Sequence, residues 1–170
     1  DNARGTMQII GVDPGTGSSS ALGVVHVDFG TRDIVSYTEY WSDRKLSATQ
    51  RIRNISDVFC KSWPEHVDAV AIEYFVMRGK GGETLARMVG AVIGCLPPTS
   101  RFIEIQNSTI KLFVGGHGAA TKQQVAEGVL EYFDENVNSF ALVSDFINDE
   151  RWDLIDALAI AITAYETRKT

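Results

Sequence analysis

Basic residues are in deficit: 16 Lys and Arg stand against 22 Asp and Glu, a formal net charge of −6. That balance excludes indiscriminate binding to polyanions, while leaving room for a local basic surface or a carboxylate cluster that holds cations. Cysteine is scarce, with two in 170 residues, which excludes a disulfide-dense scaffold. Cys60 and Cys95 lie in segments of helical pattern, far from any ligand-spaced partner, and read as free, buried thiols in a reducing compartment. Proline is scarce too, at four, and no repeat or low-complexity tract occurs, so neither a disordered nor a fibrous chain fits. No apolar run reaches ~18 residues and no signal-peptide pattern follows Met7, which supports neither membrane insertion nor secretion.

What is present is an ordinary globular composition, 44% hydrophobic and 22% charged. Residues 1–6, DNARGT, have no hydrophobic pattern and read as a cloning scar ahead of a start at Met7. Residues 7–170 then suit one domain with a real core. Met7–Asp13, Ala21–Phe29 and Ile34–Trp41 read as three short-linked strands of a meander. Ser47–Trp63 reads as a helix that stops near Pro64, and Asp68–Glu73 as a fourth strand. Thr84–Cys95 carries Leu85, Met88, Val89 and Val92 on one helical face. Arg101–Gln106 reads as a fifth strand, followed by helix from Asn107. The loop GGHGAA precedes a helix over Thr121–Phe133 with Thr121 as N-cap. Residues 134–147 give no clear pattern, and Asp149–Glu166 reads as a final helix. The expected fold is α/β, with a five-stranded mixed sheet whose first three strands are antiparallel, flanked by helices.

Four acids stand where burial should forbid them. Asp13 and Glu73 each end an apolar strand and project from one sheet edge if those strands are adjacent; ligands gather at such edges. Asp153 and Asp156, three apart in WDLIDALAIAITAY, share a face of a helix that is apolar on nearly every side. A buried carboxylate costs several kcal/mol unless it is paired or binds a cation, and no Lys or Arg lies between Asp153 and Tyr165. Four convergent carboxylates make an oxygen-donor site suited to Mg²⁺ or Mn²⁺, large enough for two ions. Taken singly, Asp13 also reads as a turn or capping residue, and the Asp153/Asp156 pair as a complement to the helix dipole. The joint pattern favours metal.

The stretches IIGVDPGTGSSSALGVV, VAIEYFVMRGKGGETLARMVGAVIG, STIKLFVGGHGAATKQQV and DLIDALAIAITAY, in that order, resemble the RuvC family of Holliday junction resolvases. These are metal-dependent nucleases of ribonuclease H-like fold. The resemblance implies a catalytic, metal-holding tetrad of Asp13, Glu73, Asp153 and Asp156, the set that burial picks out independently. It matches Lys111 and Lys122 to basic positions that serve DNA binding and, for Lys111, catalysis; the bland alternative is a pair of solvated lysines. It places an aromatic after the strand-ending Glu, to stack on an unpaired base, and Tyr74 and Phe75 compete for that role, with core the default for Phe75. Arg78 and Lys80 beside these rings read as phosphate contacts, and His117 as a phosphate or proton-transfer group beside the active edge. Helix Thr84–Cys95 matches the family's dimer interface, though its apolar face serves equally as core.

The resemblance therefore implies a homodimeric crossover junction endodeoxyribonuclease with two Mg²⁺ (or Mn²⁺) per site and no nucleotide cofactor. It would make paired symmetric nicks in four-way junctions, leaving 5′-phosphate and 3′-hydroxyl ends, in a bacterial cytoplasm or, for a phage protein, that of the host. Flap or fork cleavage, and a non-catalytic DNA-binding scaffold, are the alternatives, but a scaffold would be expected to have lost one of the four acids. The DPGTG turn also resembles the phosphate loop of actin- and sugar-kinase-like ATPases. That class needs a second lobe, for which 170 residues leave no room.

Overall fold

The computed structural model describes residues 7–14, 22–41, 43, 45–61, 64, 67–74, 82–96 and 101–168. Five strands form one sheet: β1 (Gln8–Asp13), β2 (Leu22–Asp28), β3 (Asp33–Tyr40), β4 (Ala69–Glu73) and β5 (Arg101–Ile105). Six helices accompany them: α1 (Ala48–Phe59), α2 (Gly82–Gly94), α3 (Asn107–Gly115), α4 (Lys122–Tyr132), α5 (Val137–Asn148) and α6 (Trp152–Glu166). The strand order is β3-β2-β1-β4-β5. β1–β2 and β2–β3 are antiparallel, as short turns require, while β1–β4 and β4–β5 are parallel and follow crossovers that contain α1 and α2. This is the expected mixed sheet.

Both faces of the sheet are covered, which explains the unbroken apolar runs of β1 and β4. On one face Ile9, Val25, Val27, Ala69 and Ala71 meet residues of α3 to α6, including Val129, Phe133, Phe146 and Leu158. On the other, Ile10, Val12, Leu22, Val70 and Ile72 meet Ile55 and Phe59 of α1 and Met88, Val89 and Val92 of α2. Complete burial of each of the larger side chains among these contributes roughly 1.5–3 kcal/mol. The apolar face of α2 is thus core; the open side of that helix carries Gly90 and Gly94, with Ile93 exposed beside them.

Several boundaries differ from those the sequence suggests. α1 ends at Phe59, a turn short of Trp63, with Cys60 as its C-cap. Residues 137–148, where no pattern was evident, are helix α5, capped by Asn136 through its bond from the Ser139 N–H at 3.0 Å; Ser139, Val143 and Phe146 supply the buried face, and the exposed Val137 and Phe140 mask the period. The final helix starts at Trp152 rather than Asp149, because Asp149 closes α5 and Glu150 turns the chain with a φ of 55°. Thr121 caps α4 as expected, accepting from the Gln124 N–H while the Gln124 side chain accepts from the Thr121 N–H.

The cysteine expectation is overturned. Cys60 and Cys95 form a disulfide, with Cα atoms 4.9 Å apart, that ties the end of α1 to the end of α2. Cys60 is exposed and Cys95 half-buried. Their spacing of 35 residues concealed a pair that the α1–α2 packing brings together, and the inference of a reducing compartment loses its support. Because the link closes a loop of that length, Cys60→Ser, or reduction of the native chain, is expected to lower unfolding free energy by about 2–4 kcal/mol, read from urea denaturation with and without reductant.

Candidate functional site

Parallel pairing of β1 with β4 puts their carboxyl ends on the same edge, so Asp13 and Glu73 emerge there together. α6 lies across that face of the sheet against β1, β2 and β4, and its first turns carry Asp153 and Asp156 to the same edge. The four carboxylates are electrostatic neighbours. Burial pushes Asp13 well above the usual carboxylate range, and Asp156, Asp153 and Glu73 push it further. Burial also raises Glu73, Asp153 and Asp156, with Asp156 acting on both Glu73 and Asp153.

Cations oppose this field from neighbouring helices rather than from α6 itself. The Lys122 Nζ, at the start of α4, stands 3.3 Å from the Asp156 Oδ2 and 5.8 Å from the centre of the Trp152 ring. Lys111 lowers the pKa of Glu73 from α3, and the Asn107 Nδ2 donates to the Glu73 Oε1 at 2.9 Å. These groups line a cleft of about 310 Å³ bounded by Glu73, Asn107, Lys111, Thr121, Lys122 and Asp156, with Ile110, Val125 and Ile160 as its apolar wall.

The donor set has the chemistry of a hard-cation site: four partly desolvated carboxylates, all oxygen, with excess negative charge, of which Glu73 and Asp156 line the cleft. Among the described residues, no three His, Cys, Asp or Glu stand close enough together to hold one ion. The acids share an electrostatic field without sharing a coordination point, as mutually repelling anions do.

The structure thus brings together Asp13, Glu73, Asp153, Asp156, Lys111 and Lys122. Tyr74 follows Glu73 with its ring exposed, 45% accessible, while its N–H pairs with the Ile105 carbonyl. His117 is exposed in the link between α3 and α4 and does not line the cleft. Phe75, Arg78 and Lys80 lie outside the described residues. Sequence reasoning missed Asn107 and Trp152. Asn107 had a signal in its place, directly after a strand that ends at the active edge; for Trp152 the only hint was its position next to Asp153.

Three comparisons bear on this arrangement. Residues 9–164 match the family model described as crossover junction endodeoxyribonuclease RuvC. The crossover junction endodeoxyribonuclease RuvC of Thermotoga maritima is 28% identical over 165 residues, covering 92% of this chain and 89% of the relative. Two solved structures share the fold: Thermus thermophilus RuvC, at a TM-score of 0.71 and 21% identity, and the same protein in complex with a Holliday junction substrate, at 0.70 and 20%. Each alignment covers 96% of both chains.

The raised carboxyl pKa values have a thermodynamic consequence. A carboxyl whose folded pKa lies above its unfolded value of ~3.9 is at no disadvantage below that pH, and destabilises the fold increasingly as pH rises toward its folded pKa. Asp13→Asn is therefore expected to stabilise the chain in EDTA at pH 7, with the gain vanishing below about pH 4. Urea unfolding of both proteins across that range measures it.

Proposed function

The chain belongs to the RuvC family of crossover junction endodeoxyribonucleases, and we propose that it is a structure-selective DNA endonuclease that resolves four-way junctions by paired, symmetric nicks. The observation that carries this reading is the meeting of four destabilised carboxylates, from β1, β4 and α6, beside two lysines at one sheet edge. The nuclease unit is a single domain over residues 7–170.

Asp13, Glu73, Asp153 and Asp156 would hold two Mg²⁺ ions, or Mn²⁺ in their place. When bound, the ions supply a hydroxide nucleophile at neutral pH and Lewis-acid stabilisation of the phosphate oxygens. The chain's own residues do the rest. Lys111 and Lys122 face the cleft, where they meet a phosphodiester and offset its charge. Asn107 fixes one oxygen of Glu73 and leaves the other to the site. Ile110, Val125 and Ile160 limit water on the far wall, which strengthens every charge interaction in the cleft. Water adds to phosphorus and the bond to the 3′ oxygen breaks; that oxygen takes a proton, leaving a 3′-hydroxyl and a 5′-phosphate. Tyr74 is the ring placed to stack on an exposed base, with Phe75, Arg78, Lys80 and His117 as further DNA contacts.

A four-way junction has two-fold symmetry, and a homodimer supplies two sites related in the same way. Since the apolar face of α2 is spent on the core, a second copy would meet the open side of that helix, at Gly90, Ile93 and Gly94. Membership of this family supports a place in the cytoplasm of a bacterium or of a phage-infected host.

The test is cleavage of a labelled four-way junction beside linear duplex and flap DNA, with Mg²⁺, Mn²⁺ or EDTA, followed by ligase. Paired, ligatable nicks in the junction alone are expected; preferential flap or fork cutting would change the substrate, and binding without any cut would make the protein a scaffold. Asp156→Asn is expected to slow cutting by ~10³-fold or more, about 4 kcal/mol of barrier, with junction binding largely retained. Charge reversal at Lys111 is expected to weaken binding to all sequences alike, measured by gel shift in Ca²⁺.

A further inference from the structure

Asp13, Gly23 and Glu39 are lateral neighbours across β1, β2 and β3. The row therefore holds a second acid, Glu39, whose side chain is only 6% exposed. Asp153 lies over the glycine between the two acids: a Cβ on Gly23 would collide with the Asp153 carbonyl oxygen. Glu39 is also among the charges that Asp153 senses. A buried anion here has to be neutralised, or it repels the acids of the cleft.

Arg151 does this from 112 residues away in sequence. Its Nε and Nη2 both donate to the Glu39 Oε2, at 2.9 and 2.8 Å. Its guanidinium lies 5.2 Å from the Tyr37 ring centre and 5.1 Å from that of Phe146. Such a planar, stacked cation is the arrangement arginine supports and lysine does not. The same residue is the N-cap of α6, and its side chain makes no capping bond to its own helix. Its carbonyl instead accepts from the N–H groups of Leu154 and Ile155, at 3.2 and 3.3 Å, while its N–H donates to the Phe146 carbonyl at 2.8 Å. One residue thus fastens the start of α6 to the end of α5 and, through Glu39, to the sheet edge, two positions before Asp153.

We propose that Arg151 is a positioning residue: by gripping Glu39 and lying against both the Tyr37 and the Phe146 rings, it sets where the first turn of α6, and with it Asp153, rests over Gly23. Glu39 is its anchor and is kept out of the cation site by the same contact. This rests on the reading of Asp153 as a metal-holding group.

The experiment compares the wild type with Arg151→Lys and with the double variant Arg151→Met/Glu39→Met. Replacing both members of a buried pair with apolar side chains of similar length removes the grip without leaving an orphan charge, so the double variant is expected to keep wild-type stability. Three readouts apply: Mn²⁺ binding by calorimetry, junction cleavage as separate kcat and KM, and amide hydrogen exchange of Leu154 and Ile155 in the metal-free chain. Expected in the double variant are Mn²⁺ binding weakened by about tenfold, lower kcat at unchanged KM, and faster exchange at the first turn of α6 alone. Arg151→Lys, which keeps the charge and loses the fork, should show a smaller effect in the same direction. Wild-type exchange, metal affinity and kcat in a folded double variant would overturn the proposal, as would wild-type values in Arg151→Lys if the double variant does not fold. Absence of Mn²⁺ binding and cutting in the wild type would instead remove the nuclease reading, leaving exchange to decide whether Arg151 positions the helix.

Discussion

Helix α6 rests on the sheet at a separation that ordinary side chains would not permit. A Cβ on Gly11 would strike the carbonyl oxygen of Ala157, and one on Gly23 that of Asp153, so the two glycines are required by contact rather than by backbone conformation. The helix answers with small residues of its own, Ala157, Ala161 and Ala164, all fully buried. This close approach is what brings two acids of a helix to the edge where two strands end in acids. Had either glycine a side chain, α6 would ride higher and Asp153 and Asp156 would leave the field of Asp13.

The resulting site is held at electrostatic expense. Each of its four carboxyls has a raised pKa, and for each the first cause is burial. Lys122 and Lys111 relieve the repulsion only in part. A fold that keeps such a cluster in one place needs rigid surroundings, and these are present: capped helices, a sheet covered on both faces, and side-chain bonds from Asn107 to Glu73 and from Arg151 to Glu39. Preorganised surroundings of this kind are how proteins hold unfavourable charge where chemistry uses it.

The same physics decides what was legible in advance. β1 and β4 could be read because burial on both faces leaves continuous apolar runs, and the four acids because charge at the end of such runs conflicts with burial. α5 could not, since its buried face includes the polar Ser139 while the apolar Val137 and Phe140 are exposed. The disulfide escaped notice because Cys60 and Cys95 meet only through the packing of α1 on α2. Lys122 was read as a DNA contact, and its bond to Asp156 was invisible because the partner is 34 positions away in sequence, on another helix.

Local patterning by itself determined the sheet's composition, the order of its elements and which four acids stand against burial, because periodicity and misplaced charge are properties of neighbours along the chain. Tertiary structure alone decided how near the acids stand, which cation each one meets, that Asn107 bonds Glu73 and Arg151 bonds Glu39, and that the two cysteines are joined. Those depend on distances between segments, and in this protein such distances are set by glycines and small side chains whose effect is felt across the sheet rather than along it.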